Sequence, residues 1–368
     1  MIIGIDARIP VSKKTGIGYM LSNLIPEMIK IDKKNNYKIF GHKIDIDDNN
    51  TKIYRLPKIF QRAFNLLWKV IRFPVANIIF GKADIFFFTN FVDFPVIARK
   101  KILMIPDMSF RVYPQFTERK NLRFLERGVL SSIKRADKIL TISENAKKEI
   151  CSFYHTSTEK VEVIYLGCPN NVKVVNDLDK IEKIKNKYSI PGKYILTMGT
   201  IEPRKNLKEL IKAYNKLDDG IKDEYSLVLS GGKGWYYEEI FGIVNDMGLQ
   251  ERVLFTGYVD EDDVSSIYSG ASLFVFPSIY EGFGLPILEA FNCGVPVLCS
   301  SSSSIPEVGG DAVMYCDPAS ADSIRDGIKM ILADKDLSSE LVEKGYEQAK
   351  KFSWKDSAKK IVEIINNL

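Results

Sequence analysis

Two carboxylates bracket a glycine-bearing turn in the stretch 278–296: Glu281, Gly282, Phe283, Gly284, Leu285 and Pro286 lead to Glu289, and Gly294 and Pro296 follow. An apolar run at 272–277 reads as a strand feeding this turn, and the turn opens a helix near Gly284. Pro286 suits the first helical turn, whose N–H groups have no partners inside the helix. Gly294 and Pro296 then end the helix about three turns later. Free N–H groups and the helix dipole make such an opening a site for an anion, and Gly282 and Gly284 let a ligand approach the backbone closely. Carboxylates on both sides would repel an anion unless they accept hydrogen bonds from hydroxyls flanking it. A sugar joined through a diphosphate to a ribose has that layout. The plainer reading is a capped helix with an acid near its positive end.

An anion site needs cations, and Arg204 and Lys205 supply them. They follow a strand at 194–199, at the carboxyl edge of a parallel sheet, where open α/β sheets take ligands. Two cations facing a helix N-terminus neutralise a diphosphate without a metal. Gly231, Gly232 and Gly234 form a further turn at that edge, with a simple strand-to-helix loop as the alternative. Near the N-terminus, Thr15, Gly16, Ile17 and Gly18 lie between a strand ending at Asp6 and a helix patterned by Leu21, Leu24, Ile25, Met28 and Ile29. This resembles a phosphate-binding unit, but Leu21 stands where the third glycine of the dinucleotide fingerprint belongs. The loop is read either as a place of close approach to phosphate or sugar, or as a tight turn.

The elements that carry these residues follow one rhythm. Short apolar strands alternate with helix-length segments along the whole chain, the pattern of doubly wound α/β sheets. Strands are expected at 2–5, 37–40, 52–54, 85–88, 102–105, 138–142 and 161–165, with a basic helical region at 118–135 and a helix at 146–154 capped by Ser143. A polar, charge-mixed segment at 170–190 reads as a linker with one short helix. The pattern restarts at 194, with strands near 227, 253, 273, 297 and 313. The chain of 368 residues divides into two domains on the usual scale of roughly 150 residues each, one at 1–170 and one at 171–352.

Composition sets the bounds. Hydrophobic residues at 45% and charged residues at 27% fill two globular cores. No apolar run reaches the roughly 18–20 residues that cross a bilayer, and the first six residues read as a strand rather than a signal peptide. Cys151, Cys168, Cys293, Cys299 and Cys316 lack Cys-x-x-Cys spacing, which fits free thiols in the cytoplasm. The net charge of +5 names no partner. Its densest basic stretch is 52–82, where Lys52, Arg55, Lys58, Arg62, Lys69, Arg72 and Lys82 occur without an acid, beside Phe60, Phe64, Leu67, Trp68 and Ile71 at helical spacing. Two readings stay open there: a core-packed helix with a solvated face, or an interfacial helix on an anionic membrane. No nucleic-acid motif accompanies the charges, so no nucleic-acid partner is expected. Asp45-Ile-Asp47 and the acids at 260–263 have the letters of a metal site, but paired acids in polar loops are common, and no metal is expected.

The run from Glu281 to Glu289, with Gly-Phe-Gly-Leu-Pro inside it and Cys-Gly-Val-Pro-Val after it, resembles the retaining nucleotide-sugar glycosyltransferases of family 4, which have the GT-B fold of two Rossmann-like domains facing a cleft. The resemblance extends to Gly4 through Arg8, to Thr15 through Gly18, to Gly199-Thr200 with Pro203 through Asn206, and to Phe352-Ser-Trp354. It implies that Glu281 holds hydroxyls of the donor sugar and Glu289 the ribose. Backbone N–H groups of Phe283, Gly284 and Leu285 would hold sugar and phosphate, and Arg204 and Lys205 would stabilise the departing nucleoside diphosphate beside Gly199. Val259 would mark where the base meets backbone. Gly16 and Gly18 would approach the diphosphate from the N-terminal, acceptor-side domain, onto which the helix 353–368 crosses back. The family usually has a His-Asp pair after the strand ending near Ile105, and here Pro106 precedes Asp107; His42 and His155 fall outside the motif and are expected at the surface. Asp107 is left to orient the acceptor hydroxyl or to cap a turn. The expected activity is metal-independent retaining transfer of a sugar, with GDP-mannose favoured over UDP- and dTDP-sugars. The acceptor would be a saccharide, lipid-linked, in surface-polysaccharide assembly at the inner face of the cell membrane. A sugar-nucleotide binder without catalysis is the competing reading, because of Pro106.

Overall fold

The computed structural model describes residues 1–8, 16–41, 46, 48–55, 67–68, 73, 75–168, 171–234 and 237–368. His42, Asp45, Asp47 and the larger part of the basic stretch at 52–82 lie outside these residues. The chain forms two compact units, Met1–Leu166 with Ser353–Leu368, and Gly167–Phe352.

Among the described residues the first unit is built on seven parallel strands: β1 (Ile2–Ala7), β2 (Asn36–Gly41), β3 (Thr51–Tyr54), β4 (Ala83–Phe88), β5 (Ala98–Met104), β6 (Lys138–Thr141) and β7 (Val161–Val163). Their spatial order is β3-β2-β1-β4-β5-β6-β7, so the winding reverses between β1 and β4. Central strands covered on both faces need continuous apolar runs. Ile85, Phe86, Phe87 and Phe88 of β4 meet that need and are almost fully buried. Phe86 and Phe88 join an aromatic cluster with Phe40, Phe80, Phe94 and Trp68, in which Trp68 stacks on Phe94 with ring centroids 4.6 Å apart. Trp68 therefore belongs to the core, while its neighbour Leu67 is exposed.

The helix Gly16–Ile31 buries Met20, Leu21, Leu24, Ile25, Met28 and Ile29 along one face and packs on the last helix, Trp354–Asn366. Asn35 donates to Asn366 at 3.0 Å, and Lys360 donates to the Val163 carbonyl at 2.8 Å. The last helix thus packs within the first unit although it is last in sequence. Gly16 and Gly18, read in the sequence as a loop, form the first turn of the helix instead; Gly16 is exposed and Gly18 buried. The helix Glu144–Tyr154 starts two residues before the expected 146 but on the expected cap, with Ser143 accepting the Ala146 N–H at 3.1 Å, and His155 ends it in the left-handed region, exposed.

Among the described residues the second unit has six parallel strands: β8 (Lys193–Met198), β9 (Tyr225–Ser230), β10 (Val253–Gly257), β11 (Leu273–Phe276), β12 (Val297–Ser300) and β13 (Met314–Cys316). The order is β10-β9-β8-β11-β12-β13, and the reversal falls between β8 and β11. Open α/β sheets bind ligands outside the carboxyl ends of the strands at such a reversal, because the loops there diverge to opposite faces and leave a crevice. Gly231, just beyond β9, has φ +146°, and a Cβ there would lie 1.9 Å from the Gly199 carbonyl oxygen. Only glycine lets the two loops meet that closely.

Candidate active site

The loops after β8 and β11 are stitched together before any charged side chain is considered. Asn206, at φ +59°, donates from Nδ2 to the carbonyls of Pro277 at 3.1 Å and Pro318 at 2.7 Å. The Ile279 N–H donates to the Arg204 carbonyl at 2.9 Å. Arg204, Lys205 and Glu281 are thereby carried on one rigid edge.

On that edge the side chains form a closed ionic cluster. Arg204 Nη1 donates to Glu281 Oε2 at 2.6 Å and to the Tyr280 carbonyl at 2.8 Å, and Nη2 donates to Glu202 Oε1 at 2.5 Å. Lys205 Nζ donates to Glu281 Oε1 at 2.7 Å and lies 4.8 Å from the centre of the Phe276 ring. A Cβ on Gly199 would stand 3.1 Å from Lys205 Cε, so the glycine leaves the lysine its space. Glu281 is 7% exposed and Glu202 4%. Two carboxylates against two cations give the cluster no net charge, which is what makes burying it tolerable. Burial pushes the Glu281 carboxyl up, but the charges of Arg204 and then Lys205 outweigh it and hold the group down at about 2. The Glu281 N–H donates to Ser303 Oγ at 2.8 Å, and Ser304 Oγ donates to the carbonyls of Glu281 and Phe283 at 2.8 and 2.9 Å. Each carboxylate oxygen takes about two donors, so the cations leave capacity on Glu281 for hydroxyls.

Phe283 is buried and Gly284, at φ +125°, opens the helix Leu285–Asn292 with Pro286 in its first turn and no side-chain cap among the described residues. The helix is eight residues long, shorter than the three turns read from Gly294, because Cys293 already takes the cap position and Gly294 turns the chain at φ +70°. Glu289, just over a turn in, is half-buried and accepts from the Tyr268 hydroxyl at 2.9 Å. Burial pushes its carboxyl up to about 7, against the Tyr268 hydrogen bond and the Lys205 charge. Burial and the nearby Glu289 charge also push the Cys293 thiol up to about 12.

Val259 follows β10 with its side chain buried, after Gly257 at φ +69° and an exposed Tyr258; the Gly231 N–H reaches the Gly257 carbonyl at 2.9 Å. The second unit therefore carries Gly199, Arg204, Lys205, Val259, Glu281, Phe283, Gly284, Leu285 and Glu289 at one sheet edge. Gly16, Gly18 and Asp107 belong to the first unit. Asp107 follows β5 and accepts the Ser109 N–H at 2.8 Å, turning the chain into the short helix Ser109–Val112. Asp260 and Asp263 are both held by Lys187, at 2.7 and 2.6 Å. Four supporting residues escaped the reading of the sequence. Glu202 had a signal, its place beside Pro203 and Arg204, and Ser303 and Ser304 sit in a visible serine run. Tyr268 had none, since its bond to Glu289 spans two helices.

The family profile of the group 1 glycosyl transferases matches residues 180–348. The O-antigen chain mannosyltransferase B of Escherichia coli is 35% identical over 251 residues, covering 68% of this chain and 66% of that protein. The serotype-specific mannosyltransferase WbdA of Escherichia coli is 34% identical over 251 residues, covering 67% of this chain and 31% of that one. The chain thus spans just under two thirds of the first of these relatives and about a third of the second. The crystal structure of Anabaena Alr3699/HepE in complex with UDP and glucose superposes over 100% of both chains with a TM-score of 0.74 at 16% identity. The two doubly wound parallel sheets are those of the GT-B fold. Residues 180–348 of this chain are a group 1 glycosyltransferase domain.

Proposed function

We propose that the protein transfers a hexosyl group from a nucleotide-diphosphate sugar to a saccharide acceptor, with retention of configuration and without a metal. The observation that carries this reading is the cluster of Arg204, Lys205 and Glu281 at the opening of the helix Leu285–Asn292. Departure of the leaving group places negative charge on the diphosphate. Preorganised cations and backbone N–H groups aimed at that charge stabilise the transition state, which is often the largest catalytic effect. Arg204 and Lys205 take that role with the N–H groups of Phe283, Gly284 and Leu285, while Glu281 fixes both cations and accepts hydroxyls of the transferred sugar. Glu289 takes the ribose hydroxyls, the backbone at Val259 meets the base, and Asp107 orients the acceptor.

The mannosyltransferase names of the relatives favour GDP-mannose as donor, and their O-antigen role favours an acceptor in surface-polysaccharide assembly, lipid-linked and met at the inner face of the cell membrane. A lipid-linked acceptor calls for a membrane-facing surface. The basic stretch at 52–82 lies mostly outside the described residues, but the helix Arg119–Arg135 exposes Arg119, Lys120, Arg123, Arg127 and Lys134 together with Phe124 and Leu130, while Val129 and Ile133 face the core. Basic side chains beside exposed apolar ones fit an anionic lipid surface. Among the described residues no helix is long and apolar enough to cross a membrane.

A thermal-shift panel of GDP, UDP, dTDP and ADP tests the donor reading. The matching nucleotide, at a hundred times its Kd, adds about 2.7 kcal/mol of stability, and the corresponding nucleotide sugar then supports transfer. Stabilisation by none of the four sinks the reading. Stabilisation without transfer or hydrolysis favours the binding-only alternative that Pro106 raises.

A further inference from the structure

The first unit has its own winding reversal, between β1 and β4; Gly16 and Gly18 follow β1 there, while the turn after β4 carries no residue of the donor reading. At the carboxyl end of β4, Phe91 has φ +40°, a conformation that strains a bulky side chain and persists only where the surroundings impose it. They do so here. The Phe91 N–H donates to the Met104 carbonyl at 2.9 Å, and Phe91 packs edge-on against Phe110 with centroids 6.0 Å apart. Two residues on, buried Asp93 is clamped by Arg135 at 2.5 and 2.8 Å and by Ser132 Oγ at 2.9 Å, while its N–H donates to the same hydroxyl at 3.0 Å. Before the turn, the Thr89 hydroxyl bonds the Asp6 carbonyl at the end of β1.

The residue this rigid turn presents is Asn90. Its side-chain Oδ1 is buried, and among the described residues nothing donates to it. A buried acceptor left unpaired costs stability, and strain held in place beside such a group is a mark of function. Asn90 also sits at the reversal, where a parallel sheet takes ligands, next to the β5 edge that carries Asp107. We infer that Asn90 is a binding residue for the acceptor, its carboxamide pairing with one hydroxyl of the acceptor sugar. A hydroxyl both donates and accepts, so it satisfies the carboxamide in either orientation of the amide. This assignment rests on the proposed transfer reaction.

The test compares wild type with Asn90→Ala and Asn90→Asp. The acceptor is whichever of octyl mannoside, octyl galactoside and octyl N-acetylglucosaminide wild type uses fastest with its best nucleotide sugar. Asn90→Ala lowers kcat/KM for the acceptor by about tenfold and leaves nucleotide affinity and acceptor-free donor hydrolysis unchanged. Acceptors deoxygenated one hydroxyl at a time locate the partner: one deoxy analogue is poor for wild type but no poorer than the parent for Asn90→Ala. Because nothing among the described residues donates to the Asn90 oxygen, Asn90→Ala keeps or raises Tm. A lower Tm with unchanged acceptor kinetics would mean a purely structural residue and overturn the assignment. If nucleotide binds but none of the glycosides is used, their binding is compared by saturation-transfer NMR, and equal signals in wild type and Asn90→Ala overturn it too. Failure of every nucleotide to bind defeats the donor reading instead, a separate and recognisable outcome.

Discussion

Burial raises the carboxyl of Glu289 against one hydroxyl donor, Tyr268. With its pKa raised from the ordinary 4.5 to about 7, the folded protein holds more protons than the unfolded chain between those values. The stability from this group is full below about pH 4.5 and is lost as pH rises through about 7. In the proposed donor site, ribose hydroxyls donating to the carboxylate favour its ionised form, so nucleotide binding at pH 6 should release a proton. Calorimetry in buffers of different ionisation enthalpy should detect the release for wild type, and Glu289→Gln should abolish it while weakening nucleotide binding. Glu281 behaves in the opposite way: its lowered carboxyl stabilises the fold above about 4.5, and that contribution is lost as pH falls toward 2. In the proposed reaction the cations serve the transition state, so Lys205→Ala should lower kcat by about 10²–10³-fold, as removal of one oxyanion donor does, with KM for the donor little changed. A Lys205→Ala enzyme with wild-type turnover would defeat the electrostatic account.

At the scale of elements, the site depends on two loops that meet at glycines. Gly231→Ala drives a methyl group into the Gly199 carbonyl at a left-handed φ and should cost about 1–3 kcal/mol, with reduced nucleotide affinity, as both loops must shift. Gly232→Ala is the control, since a Cβ there meets nothing within 4 Å, and should leave thermal stability close to wild type. The helix Arg119–Arg135 makes a different claim. Replacing Lys120, Arg123 and Arg127 together by glutamate should remove flotation with anionic liposomes at low salt and spare nucleotide binding, because those side chains are exposed and the core face of the helix is untouched. Flotation that survives the triple substitution counts against this helix as the membrane surface.

Across the whole molecule, the proposed reaction draws Arg204, Lys205, Glu281 and Glu289 from the second sheet and Gly16, Gly18 and Asp107 from the first. The proposed neutralisation of the diphosphate by Arg204 and Lys205 needs no metal, so excess EDTA should leave transfer rates unchanged; loss of activity restored by added Mg²⁺ or Mn²⁺ would refute it. Much of this was legible in the chain. Strand positions followed from continuous apolar runs such as 85–88, since a strand covered on both faces admits little else. The helix opening at Gly284 followed from Gly-Phe-Gly-Leu-Pro, because glycine and proline act through local backbone geometry. Pairing between distant residues was not legible. That Glu281 grips both Arg204 and Lys205, that Tyr268 reaches Glu289, and that Asp93 clamps the turn at Phe91 depend on strand order and on which loops the winding reversals bring side by side. The sequence by itself determined the elements and the residue types at their ends, because these obey short-range rules of periodicity and backbone conformation. Only the tertiary structure decided which charges meet, because burial and distance, and so the raised carboxyl of Glu289 and the lowered one of Glu281, exist only once the sheet is assembled.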